Sequence, residues 1–236
     1  MVVEGPTLVA EALTAGIKLR EGFAAPGTDP TLVAAMRSAG ATVREVSLEV
    51  LARSLDSVTP QGVAAVADRP EIDLASAVAA AARGPLALVL VDVADPGNAG
   101  TLLRVSEAAG AAAVLFCGSS VDPCNPKCVR ASAGALFHVP VATGGDPLQV
   151  LDDLEGAGVP TAATVVRGGR PYDELDLTGP LALLLGSEAH GLAPSVSSRV
   201  DHLATIPMEG RSESLNVAMA GAVLCFESLR QRRGAR

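Results

Sequence analysis

An α/β protein in two parts, a small mixed module followed by a larger open parallel sheet, is the fold class this sequence predicts. The first observation is a set of short, fully apolar runs after residue 84: "LALVLVDV", "AAAVLFCG", "LFHVPVAT", "TAATVV", "LALLLGSE" and "HLATIPM". Uninterrupted rather than alternating apolar strands imply burial on both faces, hence a parallel sheet between helical layers. The second is the faster alternation of short helical and strand patterns over residues 5–67. The third is the segment "DRPEIDLASAVAAAARGP", with proline at both ends of an alanine-rich middle, which breaks that rhythm.

In chain order, "PTLVAEALTAG", "DPTLVAAMRSAG" and "SLEVLARSL" carry helical spacing, and strands fall around "IKLREGFAA", "ATVREV" and "QGVAAVA". These elements make an N-terminal domain over residues 1–70. The proline-bounded segment, residues 71–84, reads as a linker containing a helical turn or two, with the boundary near Arg83. Residues 85–236 then form the open-sheet domain.

Hydrophobic residues make up 49% of the 236, enough for a sizeable core. Apolar runs reach only about eight residues, and no basic-then-apolar leader opens the chain, so a soluble, cytoplasmic protein is expected. Aromatics amount to 2% with no Trp and the single Tyr172, which excludes base stacking on an aromatic platform. A net charge of −8 excludes a general nucleic-acid coat, so any RNA site must be a local basic patch. Lys18, Arg20, Lys127, Arg130, Arg167, Arg170 and the tail "LRQRRGAR" are the candidates. Cys117, Cys124, Cys128 and Cys225 are too few and too irregular for a disulfide framework. Cys124 and Cys128 lack the second pair that a zinc site needs, so no metal is expected.

In open parallel sheets, ligands sit beyond the carboxyl ends of the strands, and three of those ends are unusual. After "LALVLVDV" comes "ADPGNAGTLLRVSEAAG", where Asn98 can cap a helix and Arg104 follows six residues later. After "LALLL", Gly186 permits close approach of a ligand or a positive φ, Glu188 places a carboxylate at the sheet mouth, and Gly191 loosens the next turn. His190 beside them reads equally well as a solvated surface residue. After "HLAT" comes "IPMEGRSESLNVAMAGAVLCFESLRQRR", a polar loop entering a long helix that Ser212 or Glu213 could cap, with Ser214 and Asn216 at the same rim.

The ordered set NxGxxxR, GSExxG and IPMxGxxxSLN, each directly after a strand, resembles the SpoU/TrmH family of RNA ribose 2′-O-methyltransferases of the SPOUT class. The segments "VEGPTLVAEALTAGIKLREGFAA" and "TPQGVAAVA" are similar to the ribosomal-protein-like RNA-binding domain of many members, and "VDPCNPKCVRASAGALFHVPV" to the family's middle segment. The resemblance implies a deep trefoil knot in the C-terminal domain, S-adenosyl-L-methionine (S-adenosylmethionine) as cofactor, and a homodimer joined through the knotted domain. It also implies RNA as substrate, ribosomal RNA ahead of transfer RNA, and no membrane partner. Backbone groups around Gly186, Ile206 and Leu215 would hold the cofactor, with Thr164, Met208 and Ala218 beside them. Arg104 would activate the ribose hydroxyl. Asn98 would orient Arg104 or the ribose, Glu188 would orient the active-site loop or Arg104, and Ser214 and Asn216 would shape the site. A non-catalytic RNA-binding assembly factor should lack Arg104, Glu188 or the SLN loop, and all are present. A dinucleotide dehydrogenase should carry GxGxxG after a first strand, and "DPGNAGTLLR" has other spacing.

Overall fold

The computed structural model describes residues 1–55 and 61–235. Thr59 and Pro60 of the "TPQGVAAVA" segment, and the final Arg236 of the basic tail, lie outside the described residues.

The N-terminal module runs β1 (Val2–Glu4), α1 (Pro6–Thr14), β2 (Leu19–Ala24), α2 (Pro30–Ser38), β3 (Thr42–Glu45), α3 (Leu48–Ser54) and β4 (Val63–Ala67). Its four strands lie in the order β1-β4-β2-β3, with β2 and β3 parallel and the other pairs antiparallel. Strand β1 was not apparent in the sequence, because three residues, "VVE", are too few to show a period. Helices start where the sequence supplies caps: the side chains of Asp29 and Ser47 accept from backbone N–H groups in the first turns of α2 and α3.

Residues 71–84 carry more than the helical turn or two expected of them. They hold α4 (Leu74–Arg83), capped by Asp73 and packed on the second sheet through Ala77, Val78 and Ala81. Ala77, Val78 and Ala81, spaced one and four residues apart, give this helix a buried face that its alanine-rich composition disguised. Ahead of it, Ile72 donates its N–H to the Val141 carbonyl, so the chain is already attached to the edge of the larger sheet.

That sheet is built from β5 (Ala87–Val91), α5 (Pro96–Ala108), β6 (Ala113–Cys117), α6 (Pro126–Ser132), β7 (Val141–Thr143), α7 (Pro147–Gly156), β8 (Thr161–Thr164), β9 (Arg170–Pro171), β10 (Ala182–Leu185), α8 (Pro194–Ser197), β11 (His202–Thr205) and α9 (Val217–Gly234). The strand order is β7-β6-β5-β10-β8-β11-β9, and every pairing is parallel. Every residue of β5, β6 and β10 is buried, as their unbroken apolar sequences require. Strand β10 inserts between β5 and β8, so the GSE turn emerges at the centre of the sheet.

Two glycines let the helices on one face close tightly. A Cβ on Gly100 would lie 2.5 Å from the Cys128 carbonyl oxygen of α6, and one on Gly221 would lie 2.4 Å from Leu102 of α5 and 2.9 Å from Leu185 of β10. Gly100→Ala meets backbone rather than a movable side chain, so we expect it to cost about 1–3 kcal/mol, read as a lower urea midpoint with unchanged slope.

The two modules share one apolar cluster, running from Val3, Val9 and Met36 to Leu102, Leu136 and Val139. Polar links close the seam. Arg69 donates to both Asp122 oxygens (2.7 and 3.1 Å) and to Glu71, Glu11 meets His138 at 2.8 Å, and Arg130 meets the buried Glu4 at 3.4 Å. All four cysteines are free and buried, and burial pushes each thiol up to about 12. Cys124, Glu71 and Asp122 come within 4.8 Å of one another. Arg69 and Thr143 already occupy the carboxylate oxygens there, and Cys128 is not among the three. Among the described residues no helix is long and apolar enough to cross a membrane.

Candidate active site

Because β8, β10 and β11 are parallel neighbours, their carboxyl ends open on the same edge of the sheet. There they surround a cavity of about 600 Å³, within the range of about 300–1,000 Å³ usual for small-molecule sites. Thr164 comes from the end of β8, Gly186 and Glu188 from β10, Ile206 and Met208 from β11, and Ser214, Leu215 and Asn216 from the loop before α9. All eight were expected from the sequence.

Of the two expectations for Gly186, the positive φ is not met. A Cβ there would meet the loop's own backbone, 2.4 Å from the Gly191 carbonyl carbon and 2.5 Å from the Leu192 nitrogen. The loop folds back on itself through Ser187 N–H to Gly191 O (3.1 Å) and Gly191 N–H to Ser187 O (2.8 Å), while Gly191 takes φ +65°. The two glycines therefore close a tight loop, and that loop aims Glu188.

Glu188 is the acceptor at the centre of the rim. It receives the Asn98 side-chain amide at 3.0 Å and the backbone N–H groups of Asp95 and Ala94 at 3.2 and 3.3 Å, at the positive start of α5. Partial burial works to raise the Glu188 pKa. The Asn98 amide and backbone N–H groups together outweigh it and hold the carboxyl below the usual carboxylate range. Asn98 in turn accepts from the Asn216 side chain at 2.9 Å, and Asn216 accepts from Ala218 and Met219 in the first turn of α9. One chain of hydrogen bonds, Glu188–Asn98–Asn216, thus joins three strand-end segments far apart in sequence.

Several expectations are corrected here. Asp95 caps α5, not Asn98, which sits inside the first turn with its N–H on the Asp95 carboxylate. Asn216 caps α9, not Ser212 or Glu213, because its shorter reach to the N–H groups of Ala218 and Met219 satisfies the helix start directly. Ala218 is buried in that first turn and does not line the cavity; Val217 and Ala220 do. Arg104 does not join Asn98 or Glu188. Six residues along an α-helix means about 9 Å of rise and roughly 120° of rotation, so Arg104 leaves the Asn98 face. It is exposed, does not line the cavity, and no hydrogen bond or ion pair holds it among the described residues.

Ser187, His190, Leu192 and Ser197 also line the cavity. Ser197 was missed because α8 is only four residues long, too short to signal itself. His190 is exposed as well as on the cavity wall, so neither sequence reading was complete.

A depressed carboxyl pKa fixes a sign. The Glu188 bonds are fully present above the ordinary carboxylate value of about 4.3 and are lost as pH falls through the lower folded value. We expect hydrogen-exchange protection of the Ala94 and Asp95 amides to stay constant from pH 8 to 5 after correction for intrinsic rates, and Glu188→Ala to remove it. Asn216→Ala should cost about 1 kcal/mol as a lost cap, measured by denaturant unfolding.

An all-parallel sheet whose central strand end carries a composite polar rim and a ligand-sized cavity defines an α/β enzyme of the cofactor-binding kind. The chain belongs to the SpoU rRNA methylase family, whose model matches residues 85–226, and residues 2–72 match the RNA 2′-O ribose methyltransferase substrate-binding domain. It is 33% identical over 226 residues to the 23S rRNA (guanosine(2553)-2′-O)-methyltransferase RlmP of Bacillus subtilis, covering 95% of this chain and 86% of that protein. It is 38% identical over 203 residues to the 23S rRNA (guanosine-2′-O-)-methyltransferase RlmB of Xanthomonas axonopodis pv. citri, covering 84% and 82%. Among solved structures, the SpoU methyltransferase AviRb of Streptomyces viridochromogenes superimposes with a TM-score of 0.88 at 27% identity over 100% of this chain and 91% of that one. An AdoMet-bound rRNA methyltransferase of Sinorhizobium meliloti gives 0.86 at 31% identity over 97% and 86%.

Proposed function

We propose that this protein methylates a ribose 2′-hydroxyl in ribosomal RNA, using S-adenosylmethionine. The observation that carries the reading is the convergence of Gly186, Glu188, Ile206, Leu215 and Asn216 on one cavity at the central strand ends, in a chain of the SpoU family. The donor set suits the cofactor: apolar Leu192, Ile206, Met208 and Leu215 for a ring system, neutral Thr164, Ser187 and Ser214 for hydrogen bonds, and the carboxylates of Glu188 and Glu213 beside a cationic ligand. When bound, S-adenosylmethionine supplies a sulfonium methyl as the electrophile.

The chain's own residues do the rest. Glu188, Asn98 and Asn216 hold the three loops in register before ligand arrives, which is electrostatic and geometric preorganisation. Arg104 offers a planar fork of donors and no acceptor, so its part is to stabilise a developing alkoxide and position the adjacent phosphate rather than to remove the proton.

Because Arg104 is exposed and does not line the cavity of its own chain, we assign it to the cavity of a second copy in a homodimer. Support comes from α9, where Met219 and Phe226, seven residues apart and so on one face, are 62% and 48% exposed beside the cavity-lining Leu215. We also take the segment after β11 to thread the family's trefoil knot, which suits its return across the sheet to reach both α5 and the β10 loop. Calorimetry with S-adenosylmethionine and with NAD tests the cofactor, and ribose-methylation mapping of total RNA from cells with and without the gene tests the substrate. Retention of NAD instead, or an unchanged methylation map, rejects the reading.

A further inference from the structure

The N-terminal domain matched as substrate-binding is electrostatically unsuited to phosphate. Residues 1–72 carry six Lys and Arg against nine Asp and Glu, a net of −3. Three of the six cations are hydrogen-bonded to carboxylates. Arg20 makes a two-pronged pair with Asp68 (2.6 and 2.8 Å), Arg53 meets Glu49 at 2.6 Å, and Arg69 is bound by Asp122 and Glu71, whereas Arg44 comes only within 4.0 Å of Glu21. Arg37 of that domain has no partner among the described residues, and Lys18 acts on the same Asp68 that Arg20 holds, its charge helping to lower that carboxyl. In the second domain, Arg170 donates to the Glu174 carbonyl and Arg130 meets Glu4, so they too are engaged.

The mouth of the cavity is different. Arg167 follows the cavity-lining Val166 on the loop after β8, and Arg211 stands between the cavity-lining Met208 and Glu213 on the loop after β11. Arg211 is exposed and has no partner among the described residues. Arg167 approaches Glu213 only at 3.9 Å, with both side chains more than four-fifths exposed (82% and 83%). That contact shows the two loops facing each other across the mouth, and it is loose enough to be exchanged for a phosphate. Glu209 and Glu213 are the acids of this loop, and neither holds Arg211 among the described residues.

Resting on the methyltransferase reading, we propose that Arg167 and Arg211 hold the RNA backbone at the cavity mouth, and that the carboxylate-bound Arg20 and Arg53 make no phosphate contact. RNA affinity gains from counterion release only through cations whose charge is not already cancelled, and a free guanidinium fork matches a phosphate in two bonds. The acidic domain then orients RNA by shape and neutral hydrogen bonds, while the grip on the backbone sits where the chemistry occurs.

The test is filter binding of the full-length protein to an unmodified 23S rRNA transcript over a series of KCl concentrations. Arg167→Ala with Arg211→Ala should flatten the slope of log K against log salt by roughly 1.4–1.8, two contacts at ~0.7–0.9 each. The double variant Arg20→Ala, Arg53→Ala should keep the wild-type slope, and Arg167→Lys with Arg211→Lys should keep most of it. Calorimetry with S-adenosylmethionine verifies that each variant is folded. A flattened slope in the Arg20/Arg53 variant, or an unchanged slope in the Arg167/Arg211 alanine variant, overturns the proposal. Wild-type protein that binds the transcript but never methylates RNA would defeat the functional reading instead, leaving this one standing.

Discussion

Arg104→Ala is expected to abolish ribose methylation, lowering kcat by about 10³-fold, while S-adenosylmethionine affinity stays within about tenfold. The magnitude is that of removing one preorganised charge-stabilising donor from a water-poor site, about 4 kcal/mol of barrier. Affinity should survive because Arg104 is exposed on α5 and takes no part in the cavity wall of its own chain. Arg104→Lys should recover little, since a point charge lacks the planar fork. Near-wild-type turnover in the alanine variant would remove Arg104 from the mechanism. Mixing makes the geometry testable. A dimer of one Arg104→Ala subunit and one Gly186→Ala subunit should regain one working site if the arginine serves its partner's cavity, and none if it serves its own.

The second large effect belongs to Gly186→Ala. The added methyl would meet the backbone of Gly191 and Leu192 at 2.4–2.5 Å, closer than Cβ atoms approach, and backbone cannot rotate aside as a side chain does. Either the Ser187–Gly191 loop opens or β10 shifts; both move Glu188 off Asn98 and deform the cavity. We expect cofactor affinity to fall by about 100-fold, equivalent to about 2.7 kcal/mol. Secondary structure should persist, because β10 stays paired on both sides with β5 and β8. Calorimetry with circular dichroism as a control checks this, and unaltered affinity would mean the loop is not part of the cofactor site. Gly191→Ala should be milder. Its φ of +65° is strained for any side chain, but nothing lies within 4 Å of the added atom.

The site was legible as three separate motifs and not as a network. Each motif announced itself through residue types that an apolar strand does not need at its end: Asn98, the Gly186-Ser187-Glu188 turn, and Ser214-Leu215-Asn216. Which atoms meet was not legible. The amides of Asn98 and Asn216 are 118 residues apart, and no local pattern forecasts their 2.9 Å bond. Helix geometry could have warned that Asn98 and Arg104 leave one another's face, yet treating NxGxxxR as one unit hid it. Likewise Gly100 in that motif looked like spacing until α6 was seen against it.

Local chemistry, short-range and written in neighbouring residues, settled most of the strands, though not β1 or β9, and the family resemblance for this chain. Strand order, the docking of α4 on the sheet, the pairing of most N-terminal arginines and the outward turn of Arg104 came only from the folded molecule. The physical reason is range. Periodicity and capping act within a few residues, whereas insertion of β10 between β5 and β8 brings together groups whose encounter depends on burying the whole sheet at once.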